Sequence, residues 1–118
     1  MEAKNSYRAC AKYIMVAPNK VRYVANVVRG KRYEEAVAIL EAMPQKSARL
    51  ILKVLLSAGA NALYANKKLD EEQLVVSKLI VDEGPRLKRV WARSHGKRDI
   101  LLKRMSHITV VVTEEVGE

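Results

Sequence analysis

The chain has 118 residues, enough for one domain, and 49% of them are hydrophobic, which excludes a disordered polar tail. It carries 22 Lys and Arg against 13 Asp and Glu, a net charge of +9, and such a surplus points to a polyanionic partner, either nucleic acid or a membrane surface. A single cysteine, Cys10, excludes an internal disulfide and fits a reducing compartment; the start "MEAKNSYRACAKY" has no apolar secretory segment, and no apolar run is expected to approach the roughly 18 residues that span a bilayer.

In chain order, "YRACAKYIMVA" predicts a first strand, with Tyr7, Ala9, Ala11 and Tyr13 on one parity and Arg8, Cys10, Lys12 and Ile14 on the other. Pro18 suits the first turn of a helix whose apolar stripe is Val21, Val24, Ala25 and Val28, and Gly30 stops it. A second helix starts near Tyr33, has Glu34 and Glu35 in its first turn, repeats Ala36, Ile39, Leu40 and Met43, and ends at Pro44. "SARLILKVLLSAGANALYAN" predicts a third helix. Its stripe of Ala48, Ile51, Leu52 and Leu55 is widened by Leu50, Val54 and Leu56, so it should be buried on more than one side. Its small residues, Gly59 among them, leave room for a close neighbour. Met15 and Met43 read as core filler.

Asp70 with Gln73 resembles a capping box before a strand, "LVVSKLIVD". "HITVVVT" is apolar on both parities and should be a central or helix-covered strand. The expected fold is α+β: three helices packed on a small, mostly antiparallel three-stranded sheet, with a long protruding basic β-hairpin. One domain, 1–118, would comprise a body over about 1–83 and 106–118 and a hairpin over about 84–105.

The hairpin follows from charge and spacing. Residues 84–107 hold eight bases against one acid, Asp99, while the rest of the chain holds 14 bases against 12 acids. Most of the net charge thus lies in about a fifth of the chain, and a merely solvated face would mix its signs. The stretch between the last two body strands is too long for a structureless loop in a compact domain. A two-stranded ribbon lets its arms satisfy each other's backbone groups. Its tip falls near "SHGK", where Gly96 permits a positive φ. About ten residues per arm at ~3.3 Å each would reach roughly 30 Å. Trp91 is expected to pack across the ribbon.

A narrow basic ribbon suits nucleic acid better than a membrane, where amphipathic helices with a broad apolar face are the rule. RNA is favoured over DNA, because no recognition helix, zinc site or zipper is present and folded RNA offers clefts for a thin probe. The rivals are a DNA-architectural module, which usually carries an apolar wedge that "RSHGKR" lacks, and a cationic surface-active protein.

No catalytic constellation is legible. Ser106 and His107 are strand neighbours and point to opposite faces, so they do not form a nucleophile–base pair. Two His and one Cys at scattered positions give no metal spacing. The pairs Glu34-Glu35 and Glu71-Glu72 read as helix-start charges. The chain is expected to be no enzyme and to need no cofactor, metal or small-molecule substrate.

The stretches "APNKVRYVANVVRGK", "YEEAVAILEAMP", "KVLLSAGANA", "VDEGPRLKR" and "KRMSHITVVV", in this order, resemble the large-subunit ribosomal protein L-twenty-two family in its bacterial or organellar form. The likeness covers nearly the whole chain. It implies an α+β body on the outer surface of the large subunit beside the peptide exit, and a hairpin running inward through ribosomal RNA. The implied roles are binding large-subunit ribosomal RNA, supporting assembly and lining the exit tunnel. The implied partners are that RNA, neighbouring large-subunit proteins and the nascent peptide, with no membrane, and the implied location is the ribosome, in the cytoplasm, with an organellar ribosome as the alternative. The tunnel tip would be Arg93, Ser94, His95, Gly96, Lys97 and Arg98. Where the family often reads Arg-Ala-Arg-Gly-Arg, this chain has Arg93-Ser94-His95-Gly96-Lys97, so one Arg gives way to a histidine largely neutral at pH 7.

RNA contacts along the ribbon are assigned to Arg86, Lys88, Arg89, Arg93, His95, Lys97, Arg98, Lys103 and Arg104. On the body they are assigned to Lys12, Lys20, Arg22, Arg29 and Lys31.

Overall fold

A computed structural model describes residues 6–85, 87–92 and 98–114. The elements are β1 (Ser6–Ile14), α1 (Pro18–Val28), α2 (Tyr33–Ala42), α3 (Lys46–Ala65), β2 (Leu74–Glu83), β3 (Leu87–Ala92), β4 (Arg98–Lys103) and β5 (Ser106–Glu114), with a 3-10 turn at Glu71–Gln73 before β2. Three strands form an antiparallel sheet in the order β1-β5-β2. The α+β plan is as the sequence predicts, and "HITVVVT" is the central strand.

The helices cover one sheet face. From β5, Ile108, Val110 and Val112 are fully buried, and Leu74, Val76, Leu79 and Val81 of β2 join them. The last set breaks strict alternation. A bulge between Val76 and Lys78 absorbs one residue, so that both halves of β2 keep their apolar side chains inward. The Ser77 hydroxyl at that bulge donates to the Val111 carbonyl at 3.1 Å. β1 has a second bulge between Ala11 and Ile14, with Tyr13 at φ +59°. The expected parity of β1 therefore fails at its end. Ile14 packs against the core, while Tyr13 is 60% exposed.

α1 buries Pro18, Val21, Val24, Ala25 and Val28, the predicted stripe. Gly30 ends it at φ +82°, a region glycine enters without steric cost. The chain then runs along β2: Gly30 N–H donates to Val76 O at 3.1 Å, and Val76 N–H donates to Lys31 O at 2.9 Å.

α3 is 20 residues long and apolar enough to cross a membrane by length and composition, contrary to the expectation that no segment approaches this. It is instead the central helix of the body. Ser47, Ala48, Ile51, Val54, Leu55, Ala58, Gly59 and Ala62 are buried against the sheet and the other helices. At Gly59 a Cβ would fall 2.5 Å from Tyr33 Cζ, so glycine here is a packing requirement between α2 and α3. Two apolar expectations are corrected. Leu56 faces solvent, and Met15, read as core filler, is half exposed because it follows the β1 bulge on the outer side. Met43 does pack partly against the core.

Candidate nucleic-acid interface

β3 and β4 pair antiparallel as a separate two-stranded ribbon, in register from Leu87↔Lys103 to Ala92↔Arg98. Val90 opposes Ile100, and Trp91 opposes Asp99. The molecule measures 70 Å along its longest axis and 26 and 24 Å across. The bases of the ribbon therefore lie on backbone that stands apart from the body sheet. Lys88 and Arg89 fall in β3, and Arg98 and Lys103 in β4. Arg104 follows, exposed, at the return to β5. Arg86 and the tip residues Arg93, Ser94, His95, Gly96 and Lys97 lie outside the described residues.

The root of the ribbon is closely built. Gly84 N–H donates to Met105 O at 2.8 Å. A Cβ at Gly84 would sit 3.2 Å from both His107 Cε1 and Met105 Cβ, so a larger residue would push the two chains apart. Ser106 is fully buried, and its hydroxyl donates to Val16 O at 2.6 Å. His107 Nδ1 accepts from Tyr13 N–H at 3.0 Å, and the two rings meet edge to face at 4.9 Å. The positive φ of Tyr13 is thus held by a ring contact and a hydrogen bond. Ser106 and His107 serve different backbone partners, so the pair has no nucleophile–base geometry.

The five body cations divide into two groups. Lys12 and Lys20 are exposed on β1 and in the first turn of α1. The other three are engaged within the body. Arg29 Nη2 and Nε donate to Leu79 O at 2.7 and 3.2 Å, and Arg22 Nη2 donates to Val81 O at 3.1 Å. These guanidiniums cap the outer carbonyls of β2, an edge strand that would otherwise offer a template for another chain. Lys31 Nζ lies 3.9 Å from Glu35 Oε1. Among the described residues, no group of three or more His, Cys, Asp or Glu could hold a metal.

The family described as Ribosomal protein L22p/L17e matches residues 9–113, a span that takes in the body and the whole ribbon. The chain belongs to the ribosomal protein L22p/L17e family. The large ribosomal subunit protein uL22 of Treponema denticola is 58% identical over 118 residues, covering 100% of both chains. That of Treponema pallidum is 53% identical over 116 residues, covering 98% of this chain and 94% of its own. That of Thermosipho africanus is 51% identical over 111 residues, covering 94% and 74%. The ribbon strands β3 and β4 therefore lie inside the span that matches the L22p/L17e family.

Proposed function

We propose that this protein is a structural constituent of the large ribosomal subunit in the bacterial cytoplasm, binding large-subunit ribosomal RNA and packing beside neighbouring ribosomal proteins. One observation carries the reading: a cluster of bases sits on a two-stranded ribbon separate from the body sheet, in a chain whose full-length relatives are large-subunit proteins. A free-standing DNA-architectural module is not favoured by those relatives.

The physical case runs from width to charge. Paired strands lie about 4.8 Å apart, so a ribbon is thin enough to pass between RNA helices. A two-stranded hairpin is marginal alone in water, and an RNA cleft supplies the walls it lacks. Arg forks grip phosphates in two-point contacts, Lys acts as a point charge, and each phosphate neutralised releases counterions. The body, 1–83 and 106–118, acts as the platform. The hairpin, 84–105, reaches inward and supports assembly by fixing RNA segments together. Its tip, Arg93 to Arg98, lines the exit tunnel beside the nascent peptide. The role is structural and involves no catalysis.

Co-sedimentation tests the reading. The protein should travel with large subunits and stay there through a moderate salt wash; recovery in the soluble fraction would refute it. Deleting 92–99 should leave the body folded by circular dichroism and change nascent-chain passage.

A further inference from the structure

Along its 20 residues α3 carries Lys46, Arg49 and Lys53 and no acid, and β1, which packs against it, adds Arg8 and Lys12 and no acid. Elsewhere on the body the signs mix. Arg32 shares a small depression with Glu34, Glu35 and Glu72, and Lys31 pairs with Glu35. A merely solvated helix face would mix its signs in the same way.

The buried side of α3 is Ile51, Leu55, Ala58 and Ala62. Arg49, Lys53, Leu56, Ala60 and Tyr64 recur at helical spacing on the opposite side, and all are exposed. At 1.5 Å per residue this face runs about 22 Å. No ion pair holds Arg49 or Lys53 among the described residues. Tyr64 is 85% exposed, so most of its ring offers apolar area that only a partner can cover. Ala60, one turn earlier, is small enough to let a flat group reach that ring. Asn61 Nδ2 donates to Arg8 O at 3.0 Å, which sets Arg8 beside the same end of the helix. The carboxylate at that end, Glu114, accepts from Asn66 Nδ2 at 2.8 Å and from the Tyr7 hydroxyl at 3.4 Å, and so is already engaged within the body.

We infer that the outer face of α3 is a second RNA-binding surface, on the body and apart from the ribbon, where Arg49, Lys53 and Arg8 hold phosphates and Tyr64 stacks an unpaired base. The inference rests on the RNA-binding reading above. Spaced cations with an exposed ring are the combination that grips single-stranded RNA. A protein partner would have to bring an acid for each base and an apolar group for the ring. RNA brings a phosphate with every nucleotide and a base for Tyr64.

The test uses the full chain and deproteinised bacterial large-subunit RNA. Photo-crosslinking, trypsin digestion and mass spectrometry should find a nucleotide adduct on the peptide 54–67, which contains Tyr64. Arg49→Ala with Lys53→Ala should weaken binding about tenfold and flatten the salt slope by about 0.7–0.9 for each lost contact, while the ribbon adducts persist and the thermal melt is unchanged. Tyr64→Ala should abolish the adduct on that peptide. Tyr64→Phe should keep the affinity, because stacking needs the ring and not the hydroxyl. Ribbon adducts with no adduct on 54–67, and full affinity in the double variant, would overturn the inference and leave the RNA-binding reading standing. A crosslink from Tyr64 to a neighbouring protein in intact subunits, with none to RNA, would overturn it too and assign the face to that protein. No binding by the unaltered protein would overturn both readings.

Discussion

In the body, β5 is paired along both edges and carries Ile108, Val110 and Val112 beneath helices. In the ribbon, β3 and β4 form a sheet of two. The body buries apolar surface worth about 1.5–3 kcal/mol for each large side chain, and its charges are nearly balanced. The ribbon concentrates cations, which repel one another until a polyanion neutralises them. The same element type thus serves two ends. Where a sheet has a hydrophobic floor, it folds on its own account.

Substitutions can break that contrast, and the strongest belong to the body. Ile108→Ala should cost about 2–5 kcal/mol in urea unfolding, because the site is fully enclosed, and should leave the salt dependence of RNA binding by the folded protein unchanged. Replacing Arg89 and Arg98 together by Ala should do the reverse. RNA affinity should fall by a few kcal/mol, and the slope of log K against log salt should flatten by about 0.7–0.9 for each lost contact, with no change in melting. If that double variant melted early, the ribbon would be part of the core after all.

Arg29→Ala sharpens the boundary between the two regions. Its guanidinium caps Leu79 O, so stability should drop by about 1 kcal/mol while the salt slope stays the same. A flattened slope without destabilisation would instead assign Arg29 to RNA. The smallest effect lies in the α2–α3 contact. Burial, and then the carboxylate of Glu71, raise the Tyr33 phenol above its usual 10.0. The neutral form is favoured in the folded state, so this contribution is present below about pH 10 and lost as pH rises through the raised value. Tyr33→Phe should therefore flatten the alkaline decline in stability, as measured by denaturant melts between pH 9 and 11, taken as an order-of-magnitude window.

Much of this was legible because it is local. The stripe Val21, Val24, Ala25, Val28 needs only the helical period to declare its buried side. The bases of 84–107 stand out by count alone. The β1 and β2 bulges were not legible, since a one-residue phase slip looks like a weak strand until partner strands fix the register. Met15 was misread for the same reason: the slip at Tyr13 turned it outward.

Periodicity and charge distribution, read from the sequence, determined the helices, the three body strands and the existence of a basic ribbon, because each depends on near neighbours in the chain. Tertiary structure alone decided that Gly59 makes room for Tyr33 and that Arg22 and Arg29 seal an edge strand. Those facts depend on how separate segments pack, and no local pattern encodes that distance.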